Sequence, residues 1–185
     1  DLEGDRVLTT TADNVRRGWT RVVRIPSGFA LAKYREGGAG AELWILGPEG
    51  EPQLPPTALG NRAIESLAFG GDTILVTWEE DETVWGARYD TEGGPLGEPF
   101  AVAGADGGNI SRIRSTWDGL RFHVVWRRQV GQSRNVWHRA VDAAGRPIGS
   151  PVNLVPEAGD VQESFDVAGR AGEALLVTQE QDRVY

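Results

Sequence analysis

Three turns in this chain follow one pattern: Gly or Asp, two residues, Gly, one residue, Pro. They occupy residues 47–52, 90–95 and 142–147. Their central glycines are Gly50, Gly93 and Gly145, separated by 43 and 52 residues. A period of roughly 40 to 50 residues marks an array in which no unit buries its own apolar face, so the copies must stack and share a core. That constraint excludes most folds before any strand is assigned.

The second copy is the clearest. Residues 64–69 read as a short strand, Gly70-Gly71-Asp72 turns the chain, and residues 73–80 form a β-branched and aromatic run too short for a typical helix. Asp81-Glu82 reverses it into residues 83–89, and after the Gly-Gly-Pro turn a last strand lies near residues 99–103. The third copy repeats this meander over 110–116, 120–128, 135–141 and 151–155. A more worn first copy runs over 20–25, 29–34, 41–46 and 53–58, and a fourth begins at 163–168 and continues at 174–179. The expected fold is an all-β β-propeller of four four-stranded antiparallel blade repeats in one domain, residues 1–185. The blades fall at about residues 12–60, 61–108, 109–158 and 159–185 plus 1–11. The last is completed by the N-terminal strand near residues 6–11, in cis or in trans, which removes an exposed sheet edge.

Centring the reversals predicts cross-strand pairs. Trp78 falls opposite Trp85, Trp126 opposite Trp137, and Tyr34 opposite Trp44, with Gln179 and Tyr185 in the fourth copy. Directly opposed aromatics hold a register, and their recurrence assigns them to the core. The same count sets His138 opposite Val125 and His123 opposite Ala140, on one face of one blade. The two histidines are read as hydrogen-bonded packing positions, because no third ligand for a metal can be named.

The third copy reads Asp118-Gly119, then Phe122-His123-Val124-Val125-Trp126. It continues with Val136-Trp137, Arg139, Asp142 and Gly145-Arg146-Pro147-Ile148-Gly149. The second copy keeps Val84-Trp85, Arg88, Asp90 and Pro95-Leu96-Gly97. In these motifs the chain resembles a family of bacterial secreted and cell-surface β-propeller repeats, over nearly its whole length. The resemblance implies a binding or scaffold role, a protein or glycan ligand, and an extracellular, cell-surface or periplasmic location.

Composition narrows the function further. A net charge of −8 opposes a nucleic-acid backbone as partner. The chain lacks an apolar run long enough for a membrane-spanning helix. Zero Cys removes disulfides, thiolate metal sites and cysteine nucleophiles. An opening on Asp1, with neither methionine nor signal segment, reads as a processed form or an excised piece. Acidic residues crowd the second copy and arginines the third, a contrast that can steer an ordered partner or a homodimer completing a split blade.

No catalytic residue, metal ligand or cofactor is expected. Residues 115–119 carry the residue types of a sialidase Ser-x-Asp-x-Gly turn at the wrong spacing, and there is no Gly-x-Ser-x-Gly elbow. The leading reading is a non-catalytic binding module; the alternative is a carbohydrate-active hydrolase of glycosidase or sialidase type. Ser66, Arg114 and Asp166 fall at equivalent first-strand positions, and Arg112 lies two residues before Arg114. First strands line a propeller's channel, so Arg112, Arg114, Asp166 and Glu163 form the candidate ligand-binding cluster.

Overall fold

A computed structural model describes residues 20–34, 40–104, 107–131, 133–154 and 161–180; side chains at 161–164, 179 and 180 lie outside it. The described residues contain fourteen strands and no helix. The first sheet is β1 (Arg21–Ile25), β2 (Gly28–Tyr34), β3 (Ala41–Leu46) and β4 (Thr57–Gly60). The second is β5 (Ile64–Gly70), β6 (Thr73–Glu80), β7 (Thr83–Tyr89) and β8 (Phe100–Ala103). The third is β9 (Asn109–Trp117), β10 (Phe122–Val130), β11 (Ser133–Val141) and β12 (Pro147–Asn153). The last comprises β13 (Val161–Arg170) and β14 (Glu173–Glu180). Every pairing is antiparallel, and each sheet runs in chain order. The molecule is an all-β propeller-type array, whose described residues form three four-stranded blades and two strands of a further sheet. The expected sealing strand at residues 6–11 lies outside the described residues.

The repeated turn links the third and fourth strands of each complete blade. Gly50, Gly93 and Gly145 have φ of 85°, 84° and 82°. This left-handed region is open to glycine at little cost. Each donates its N–H three residues back, to Gly47, Asp90 and Asp142 at 3.0, 3.1 and 3.0 Å. Asp90 and Asp142 add Oδ1 acceptors for turn amides, Gly94 N at 2.7 Å and Arg146 N at 2.8 Å. The motif that revealed the repeat is therefore one backbone geometry used three times.

Blades stack face to face through three apolar layers. Ala32, Leu43 and Ile45 of the first blade meet Ile74, Val76 and Trp78 of the second. Ala68, Leu75 and Val102 of the second meet Phe122, Val124 and Trp126 of the third. Val125 and Val136 of the third meet Phe165, Val167 and Leu176 of the last sheet. Alternate residues of β6 thus serve opposite neighbours, which is why Ile74-Leu75-Val76 shows no polar alternation. The turns reach across as well: Thr57 Oγ1 donates to Gly93 O at 2.8 Å, Arg88 Nη1 to Ala143 O at 3.0 Å and Gly172 N to Asp118 O at 2.6 Å.

Trp78 lies opposite Trp85 and Trp126 opposite Trp137, as counted; the first pair stacks at 6.5 Å and 14°. In the first blade the expected pair is corrected, since Tyr34 opposes Ala41 and Trp44 opposes Leu31. The connection there holds six residues, 35–40, so it gives no centre from which to count. In the last sheet the turn at Ala171-Gly172 corresponds to Gly71-Asp72 and puts Thr178, not Gln179, at the position of Trp78.

Candidate functional site

The innermost strands bring charged residues together. Strand β1 packs on β5, β5 on β9 and β9 on β13. Each of the last three carries an irregularity near the same end. Between Ile64↔Trp78 and Ser66↔Thr77, β5 holds one extra residue, Glu65. Strand β9 holds Arg112 and Ile113 opposite the single Trp126, with Arg112 at φ 55°. Strand β13 holds Gln162 and Glu163 between Val161↔Glu180 and Ser164↔Gln179. A β-bulge takes a residue out of the ladder and re-aims its side chain, and such bulges concentrate beside functional sites.

At the bulges Arg21, Glu65 and Arg114 form a partly buried cluster spanning three blades. Glu65 Oε2 accepts the Ile113 N–H at 2.8 Å, and Arg21 Nε donates to the Glu65 carbonyl. Arg114 Nη1 donates to Ile113 O at 2.9 Å. Burial pushes the Glu65 carboxyl up, while the Ile113 bond and the charges of Arg21 and Arg114 pull it down. Burial, joined by the like charge of Arg114, lowers the Arg21 guanidinium. The cluster thus holds two cations around one carboxylate whose negative charge burial disfavours.

Of the sequence-derived cluster, Arg112 and Arg114 are partly buried on β9, Arg114 among these groups and Arg112 at the bulge two residues before it. Asp166 is exposed on the outward face of β13, and its Oδ1 accepts the N–H of Val167 at 2.9 Å. The Glu163 side chain lies outside the described residues, although its backbone is at the β13 bulge. In register, Ser66, Arg114 and Asp166 oppose Thr77, Val125 and Val177. Ser66 points at the next blade, where its Oγ accepts from Ser115 N and Ser115 Oγ, both at 2.9 Å. Sequence reasoning missed Arg21 and Glu65, because a bulge of one residue leaves no mark on an alternating pattern.

A second polar group lies between the third blade and the last sheet. Asp118, 1% exposed, closes the turn before β10. Its Oδ1 accepts from Leu120 N at 2.7 Å and Arg121 N at 2.8 Å, and its Oδ2 contacts His123 Nε2 at 2.8 Å. His123 Nδ1 lies 2.9 Å from His138 Nε2, and the rings stack at 5.0 Å. One hydrogen placement fits both contacts: His123 Nε2–H donates to Asp118, and His138 Nε2–H donates to His123 Nδ1. Burial opposes charge on Asp118, but the bond from His123 and the two turn amides hold its carboxyl far below the usual range. Burial, then the charges of His123 and Arg121, lowers His138 to about 4.

That shift has a definite consequence for stability. Between pH 6.5 and about 4 the unfolded chain takes up a proton that folded His138 refuses. Stability should therefore fall as pH drops through that window, by about 1–2 kcal/mol once solvent screening of this partly exposed ring is allowed for. Denaturant titrations of wild type and His138→Gln at successive pH values check this, since the variant should lose that part of the slope.

The described residues contain no group of three or more His, Cys, Asp or Glu arranged to hold a metal ion. The fold is a propeller-type β array with one charged cluster at its innermost strands and a second polar group between the third blade and the last sheet. No protein-family model matches the sequence, and a search of curated proteins finds no match. Among solved structures the chain is similar to a GH43 endo-arabinanase from Bacillus licheniformis. The TM-score is 0.46 and the identity 12%, over 81% of this chain and 61% of that one. The chain therefore spans about three-fifths of that protein's length.

Proposed function

We propose that the protein is a non-catalytic binding module outside the cytoplasm that engages a carboxylate-bearing ligand, a glycan or a peptide, at the inner-strand cluster. The observation that carries this reading is the gathering of Arg21 and Arg114 around Glu65, with Arg112 on the left-handed bulge of the same strand as Arg114. In a chain of net charge −8, a local surplus of guanidinium groups suits an anionic group presented at that spot. Calorimetric titration with glucuronate oligosaccharides, an acidic peptide and neutral counterparts tests it. The expected result is selective binding of an acidic probe, weakened about 10-fold or more by Arg114→Ala and little changed by Asp166→Ala. Equal affinity for neutral and acidic probes, or an unaltered Arg114→Ala protein, would overturn it.

A hydrolase reading draws on one observation, the Glu65 carboxyl pushed up by burial with the charge of Glu79 acting in the same direction. Glu79 Oε1 is engaged by Glu82 N at 2.9 Å, which ties it to its own hairpin. Turnover of chromogenic glycosides that disappears in Glu65→Gln would favour this second reading.

A further inference from the structure

Each internal blade hides two faces, but the two ends of the described array keep theirs exposed. In the second blade Ala68 and Leu75 are 3% and 0% exposed beneath the third. Their register equivalents in the last sheet, Ala168 and Leu175, form an outward face with Val177. Leu175 is 65% exposed and Val177 60%. At the other end Val22 corresponds to Leu67: Val22 is 62% exposed, Leu67 is 7% exposed against the first blade. Val22 shares its outward face with Leu31 and Trp44, both only partly buried.

We propose that these two end faces are the halves of one blade-to-blade interface, filled when a second copy of this chain docks head to tail. The molecule itself supplies the template. Between consecutive described sheets, a face of the Ala68–Leu75 type meets the opposite side of the next sheet through a buried apolar cluster. The last sheet offers the first kind of face and the first sheet the second. Charge agrees with the match. Arg170 opposes Glu173 within the last sheet, and Lys33 opposes Glu42 within the first. Among the described side chains, one further charge stands on each outward face, Asp166 on the last sheet and Arg24 on the first, opposite in sign. Large exposed apolar groups on a sheet face mark an interaction surface. Because the two halves differ, the contact is heterologous.

Two face-blocked variants test this directly: Leu175→Glu/Val177→Glu, and Val22→Glu. Light scattering over a dilution series should give the wild type a mass above the 20.0 kDa of one chain at high concentration. Each variant alone should remain monomeric with unchanged circular dichroism and denaturant midpoint. Mixing the two should restore a two-chain species, since each retains the face that the other lacks. A monomeric wild type, a variant that still associates alone, or a mixture that stays monomeric would each overturn the proposal.

Discussion

Asp118→Ala should destabilise the protein by about 3–5 kcal/mol, the range for removing one partner from a buried, fully bonded charge. The carboxylate accepts both turn amides that start β10 and orients His123, and it does so with its side chain fully enclosed. Alanine leaves Leu120 N, Arg121 N and His123 Nε2 facing a void. The Asp118 main-chain carbonyl, which alanine keeps, accepts from Gly172 N at 2.6 Å, so a shift of the turn also disturbs the neighbouring sheet. Asp118→Asn keeps an oxygen for the turn amides and disturbs only the Oδ2 side, where His123 Nε2 and Arg121 Nε bond, so it should cost about 1–2 kcal/mol. Urea denaturation of the three proteins at neutral pH measures both numbers. A loss below 1 kcal/mol for alanine would mean that the hydrogen-bonded chain does not form.

The chemistry of that turn was half legible. Counting across the hairpin set His123 and His138 on one face, because β10 and β11 pair without interruption from Phe122↔Val141 to Val130↔Ser133. Asp118 was visible only as an Asp-Gly turn residue. That its carboxylate bends back to a ring five positions on depends on the conformation of the turn, which residue types alone do not specify. Tight reversals were the most informative feature. Asp81 and Glu82 take φ of 51° and 57°, the two-residue hairpin geometry that fixes register, so Trp78↔Trp85 followed from counting.

Longer or irregular connections hid the rest. The expected fourth strand of the first blade, residues 53–58, forms instead at Thr57–Gly60. Pro55 and Pro56 have no N–H to offer a ladder and delay its start. At the inner strands, Arg114 was found by its place equivalent to Ser66 when the copies are aligned, and Arg112 by lying two residues before it. Glu65 escaped notice because its insertion between Ile64 and Ser66 is a backbone irregularity. Arg21 escaped because its partner is a backbone carbonyl on another blade. Repeat spacing carried the architecture, whereas the site depends on contacts between blades that no single repeat contains.

The central claim is that consecutive sheets stack so that their innermost strands meet, and Ser66 and Ser115 report on that contact directly. Their hydroxyls lie 2.9 Å apart across two blades and 49 residues of sequence. The chain has no cysteine of its own. With the longer C–S bonds, a Ser66→Cys/Ser115→Cys protein should bring its sulfurs to bonding distance. Mild oxidation of the folded protein should then yield one intramolecular disulfide, seen as lost thiol titre and faster migration without reductant. Closing a loop of that length should stabilise the fold by up to about 4 kcal/mol. If both thiols stay free, or only intermolecular bonds form under native conditions, the second and third blades do not meet as described and the inner-strand site falls with them.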